Sequence, residues 1–149
     1  MYPNSTKAPP QQLAAAVLET VVAINGTRES PVTNVNFHGV GFGQTAPTYL
    51  RPYERPISGD WAIHRGGTVL VTGAVNATFS RCNFSRTGGN ALLFSRSVRG
   101  GGVTQSEFHS LGDSAVVAYG AIDWMTGDVR LPRFGCLSPS LHLHPLSRS

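Results

Sequence analysis

Charge is scarce in this chain. Asp, Glu, Lys and Arg make up 13% of its 149 residues, and Lys7 is the only lysine. So few charges, set beside 17 Gly and short apolar runs, fit an all-β repeat structure better than a helical bundle. Eleven arginines supply nearly all the basic charge but are scattered from Arg28 to Arg148. Nucleic-acid surfaces cluster their cations on one face, so no nucleic-acid partner is expected. No apolar stretch reaches the length of a membrane span, and the N-terminal MYPNSTKAPPQQ is too polar for a signal peptide. There are two cysteines, Cys82 and Cys136, and nothing has zinc-ligand spacing. Cys82 reads as a buried free thiol rather than half of a disulfide. The Gly-rich Arg99–Val103 lacks the Gly-Lys-Ser/Thr ending of a phosphate loop, and no G-x-S-x-G occurs. No metal and no cofactor is expected.

What the sequence does contain is a repeat. Shifted by 24 residues, Ala77–Tyr119 falls on itself, with Phe79 on Val103, Cys82 on Ser106, Phe84 on Phe108, Gly88 on Gly112 and Leu92 on Val116. An earlier copy runs through Val35, Phe37, Val40 and Phe42. Each copy has two inward residues at period 2, a one-residue slip at a corner, and two more inward residues; period 2 is the strand signal. Val40, Cys82 and Ser106 are expected to be small inward residues, and the recurring Phe to form an internal aromatic stack. A nearly continuous apolar strand follows each of the later copies, at Ala91–Phe94 and Ala115–Ala118, with Thr68–Val71 one level below. The turns before them, Gly88-Gly89-Asn90 and Gly112-Asp113-Ser114, have Gly for unusual backbone angles and polar residues expected to bond the local backbone.

The fold expected is all-β, a right-handed parallel β-helix of about three coils spanning residues 19–133. Residues 1–18 form an N-terminal segment in which Pro9-Pro10 and the spacing of Leu13, Ala16 and Val17 suggest a short helix near 10–18 that caps the stack; the alternative is one continuous strand through Glu19–Ile24. Residues 134–149 lack the repeat and read as a disordered or truncated tail. The open coil ends are expected to allow self-association.

The copies Asn34–Phe42, Asn76–Leu92 and Val103–Gly120 resemble right-handed parallel β-helix proteins of the pectin-lyase-like superfamily. The insertion between the first two copies, residues 44–67, resembles one in a secreted subset related to glycoside hydrolases. The resemblance implies carbohydrate chemistry, a polysaccharide or glycan partner, and a secreted ancestor. Four N-x-S/T sequons, at Asn4, Asn25, Asn76 and Asn83, agree with that, and Asn25, Asn76 and Asn83 are the expected glycosylation sites. Two departures stand out. Family copies often carry Asp where this chain has Gly88, and no fourth copy follows Gly120, so the chain reads as a fragment.

Glycoside hydrolysis usually uses two carboxylates across the scissile bond. Asp60 and Asp113 are the catalytic candidates, although the residue one coil below Asp113 is Gly89. Asp60 adjoins Trp61 in the insertion, where an indole face and an acid suit a sugar ring and its hydroxyls. Tyr49, Tyr53, Trp61, His64 and Arg65, with Arg51 and Arg55 beside them, form the candidate substrate-binding rim. Glu107 and His109 are expected to face solvent. The function expected is that of a carbohydrate-active, glycoside hydrolase-like protein that missing coils could leave inactive; the alternative is a non-catalytic binding module or fragment.

Overall fold

A computed structural model describes residues 15–54 and 62–120. Among these the structure is strand and loop, with no helix. The strands are β1 (Val22–Asn25), β2 (Val32–Thr33), β3 (Asn36–His38), β4 (Gly41–Gly43), β5 (Val69–Thr72), β6 (Ala74–Val75), β7 (Thr78–Ser80), β8 (Asn83–Thr87), β9 (Leu92–Ser95), β10 (Gly102–Thr104), β11 (Glu107–Leu111) and β12 (Val116–Tyr119).

The chain visits the same sheets in the same order on each circuit. One sheet has the order β1-β5-β9-β12, a second β3-β7-β10, a third β4-β8-β11, and a short fourth pairs β2 with β6. All these pairings are parallel. The registers match the repeat expected from sequence, Phe37↔Phe79↔Val103 and Phe42↔Phe84↔Phe108. The strand expected at Thr68–Val71 is β5, which runs one residue later and lies one level below β9.

The core lies between the sheets. Phe84 is fully buried, its ring stacked between Phe42 at 5.0 Å and Phe108 at 4.7 Å. Phe79 stacks on Phe37 at 5.1 Å and meets Phe94 nearly edge-on. Offset and edge-to-face contacts of this kind contribute about 0.5–1.5 kcal/mol each beyond area burial. Burial falls off towards both ends of the stack: Phe37 and Val22 below, and Phe108 and Val116 above, are only partly covered. Leu92 and Phe94 of β9 face this core, whereas Leu93 is fully buried outside it. Strand β9 is thus covered on both faces, which explains its unbroken apolar character.

Left-handed backbone recurs at the same positions on each level, at corners and, for Arg86 and Ser110, inside β8 and β11. Asn34, Asn76 and Gly100 have φ of 56°, 59° and 64°; Gly39, Arg81 and Gln105 have 68°, 53° and 50°; Gln44, Arg86 and Ser110 have 57°, 52° and 56°. This conformation costs a non-glycine L-residue roughly 1–2 kcal/mol, and here the strands on either side impose it. Stacked corners also share side-chain bonds: Asn76 Nδ2 donates to Asn34 Oδ1 at 3.1 Å, and Arg81 Nε donates to Gln105 Oε1 at 3.1 Å.

Three expectations need correction. Residues 15–18 are not helical, and the rest of the expected 10–18 helix lies outside the described residues; β1 also begins later than the alternative strand from Glu19. Val40 is 37% exposed because its level is the lowest in its column, whereas Cys82 one level up is 2% exposed and free. Asn90 does not bond its own turn. Its Nδ2 donates down to the carbonyls of His64 and Gly66 at 3.1 and 3.0 Å, and its Oδ1 accepts from Ser114 N above at 3.3 Å. A single buried amide therefore joins three successive levels. The expected 134–149 tail, Cys136, and the part of 19–133 beyond Gly120 lie outside the described residues.

Candidate functional site

The insertion leaves β4 and enters the stack before it leaves it. Thr45 Oγ1 accepts from Gly88 N at 3.0 Å and shares a buried hydroxyl contact with Thr68 Oγ1 at 3.0 Å. Ala46 N donates to Leu18 O at 2.8 Å, and Thr48 N donates to Gly88 O at 3.0 Å. Residues 45–48 thus lie one level beneath the Gly88-Gly89-Asn90 turn. A Cβ on Gly88 would sit 2.0 Å from Ala46 O, and one on Gly89 would sit 2.2 Å from Thr48 Oγ1. Backbone therefore occupies the space that an aspartate side chain at position 88 would need.

Beyond Thr48 the loop projects. Tyr49 and Leu50 are 70% and 83% exposed, and Tyr53 is 38% exposed. Glu54 and Ile63 then pair as an antiparallel bridge, with N–H to O distances of 2.8 and 2.9 Å, which brings the two legs together. Arg65 fastens this base. Its Nε and Nη2 hold both oxygens of Glu54 at 2.8–3.0 Å, and its Nη1 donates to Ser95 Oγ at 2.5 Å and to the carbonyls of Tyr119 and Gly120 at 3.4 and 3.2 Å. The guanidinium also lies 4.4 Å from the centroid of the Tyr119 ring. A planar fork of donors suits this many acceptors in a way an ammonium cannot. The Tyr53 and His64 rings lie beside the clasp, 5.8 Å apart.

Hydrogen bonding from Arg65 lowers the Glu54 pKa; partial burial opposes the shift, and the charges of Arg65, Arg96 and His64 add to it. A carboxylate with a lowered folded-state pKa adds stability that is fully present above its ordinary value, near 4.5, and is lost as pH falls through the lower folded-state value. Glu54→Gln should therefore be less stable than the parent near neutrality, with the gap closing below about pH 4.5. Chemical denaturation at a series of pH values checks this, and a gap that persists at pH 2–3 would assign the loss to packing rather than charge.

The candidate residues thus have different surroundings. Tyr49, Tyr53 and His64 share the insertion, and Tyr53 and His64 are in ring contact. Arg65 is 11% exposed and committed to the clasp, and Arg51 pairs with Glu19 at 2.5 Å. Asp60, Trp61 and Arg55 lie outside the described residues. Asp113 is exposed on the turn above Gly89, its Oδ1 accepting from Ser114 Oγ at 3.3 Å. Glu107 and His109 are exposed, as expected, and both approach Asn83 Nδ2, at 3.4 and 3.5 Å. Of the sequons, Asn25 and Asn76 are exposed, and Asn83 is half-buried with its amide so engaged. Among the described residues no group of three or more His, Cys, Asp or Glu could hold a metal ion.

Glu54, Thr45 and Thr48 were not singled out from sequence, and Asn90 was read only as a turn residue. The equivalence of Asn90 and Ser114, 24 residues apart, was the available signal for Asn90. No protein-family model, no curated protein and no solved structure matches the chain.

Proposed function

We propose that the chain is a right-handed parallel β-helix of three coils, of pectin-lyase-like type, that binds a polysaccharide or glycan through its insertion rather than cleaving it. The parallel registers support the coil, and the strong preference of parallel crossovers for one hand supports its handedness. The observation that carries the binding role is a clasped loop with its tyrosines outside: Glu54 and Arg65 fix the base while Tyr49 and Tyr53 stay exposed. Aromatic faces on a fixed loop stack on sugar rings with little ordering cost. Among the described carboxylates, Glu19 and Glu54 are ion-paired, and Asp113 stands above a glycine that Thr48 backs. That arrangement favours binding over acid–base chemistry.

Affinity electrophoresis against neutral and anionic polysaccharides tests this, with reducing-end release measured in parallel. Retardation by at least one polysaccharide is expected without release of ends. Tyr49→Ala and Tyr53→Ala should each weaken it about tenfold, the equivalent of about 1.4 kcal/mol. No retardation by any polysaccharide would overturn the proposal. End release abolished by Asp60→Ala or Asp113→Ala would replace it with the hydrolase reading.

A further inference from the structure

The lower end of the stack combines two features that call for a partner. The first is the edge strand. β1 closes the sheet order β1-β5-β9-β12, and among the described residues no strand lies on its other side. Val22 and Gly26 turn their N–H groups towards β5, donating to Thr68 O and Thr72 O. Strand alternation therefore turns the amides of Ala23 and Asn25 outward. Val21–Asn25 reads VVAIN, without charge or proline, and so lacks the residues that usually protect an exposed edge.

The second is apolar exposure beside that strand. Val17, Leu18 and Val21, which lead into β1, are 81%, 60% and 42% exposed, and Tyr49 and Leu50 are 70% and 83% exposed. The two segments are held side by side by the Ala46 N–Leu18 O bond and the Arg51–Glu19 ion pair. The four aliphatic side chains among these, with the strand edge, offer on the order of 500 Å² per copy, which brings two copies to the ~1,000 Å² total that a specific interface needs. Scattered exposed apolar residues are ordinary, but a contiguous group of this size marks an interaction site.

We propose that a second copy of this chain occupies the lower end, in a two-fold dimer in which β1 pairs antiparallel with its symmetry mate and Val17, Leu18, Val21 and Leu50 close over the contact, leaving Tyr49 outside it. A two-fold axis makes such a patch its own partner, and an antiparallel β1 pair satisfies the outward amides of both copies at once.

Sedimentation velocity on the full chain over a range of concentrations tests this. A reversible monomer–dimer equilibrium is expected, without higher species. Leu50→Glu alters a side chain that is 83% exposed and should leave folding intact while weakening the dimer about 30-fold or more, the loss typical of a central contact residue. Ala23→Pro removes an outward N–H and should do the same. Thr104→Glu, on an exposed upper-end position, should leave the equilibrium unchanged. A parent that stays monomeric at high micromolar concentration would overturn the proposal. So would a dimer that survives both lower-end variants, or one that Thr104→Glu abolishes. Glycan retardation by monomeric Ala23→Pro would keep this outcome separate from the binding proposal.

Discussion

Gly88→Asp is expected to destabilise the chain by at least about 3 kcal/mol, or to leave no folded protein. The loss arises from backbone contact, since a Cβ at this position would lie 2.0 Å from Ala46 O and 2.5 Å from Pro47 N. No rotamer change relieves a clash at Cβ, so residues 45–48 would have to leave the Gly88 turn. That would remove the Thr48 N–Gly88 O and Gly88 N–Thr45 Oγ1 bonds together. Gly41→Ala is the matched control: a Cβ there has nothing within 4 Å and its φ is not left-handed, so the change should be neutral or slightly stabilising. Urea denaturation of both variants beside the parent measures the difference. A Gly88→Asp chain as stable as the parent would show that the first leg of the insertion does not lie beneath the turn.

Phe84→Ala should cost about 3–5 kcal/mol, the range for a large aromatic removed from a closed core. Phe84 is fully buried at the middle level, with rings stacked above and below it and Phe79 at 6.3 Å on the side. Its neighbours are fixed by strand register and have little freedom to collapse into the space, which places the expected loss in the upper half of that range. Phe108→Ala removes the same side chain from the top of the column, where it is only partly buried, and should cost clearly less. Equal losses for the two would mean that the column is covered alike at its middle and its end.

The contrast between these sites separates what the sequence made readable from what it did not. The Phe column was readable because the strands alternate faithfully and successive copies keep one spacing, so Phe84 could be set on Phe108 by counting. The Gly88 contact could not be counted. It depends on the insertion running one level beneath the turn before it projects, and Gln44–Thr48 carries no copy of the turn sequence. Asn90 was obscured similarly, because its partners lie 24–26 residues away and two of them, His64 and Gly66, sit at the end of the insertion. Arg65 looked like part of a ligand-binding rim because an arginine among tyrosines suits one. Its ion-pair partner in the structure, Glu54, becomes visible only once the antiparallel bridge has paired the two legs. At the N-terminus the Pro-Pro and Leu-Ala-Ala-Ala pattern favoured a helix by local propensity, yet residues 15–18 are not helical, and Leu18 accepts the Ala46 N–H of the insertion.

Arg65 has one more consequence. In a stack whose levels touch only their neighbours, terminal strands fray first and the rest is indifferent to their loss. Here one side chain near the middle of the sequence holds Ser95 of β9 and the carbonyl of Tyr119 in β12, 30 and 54 residues away along the chain. Opening β12 therefore also releases bonds at the base of the insertion. The ionic clasp couples β12 to the insertion, so the upper described levels should melt as one cooperative unit rather than peeling away singly.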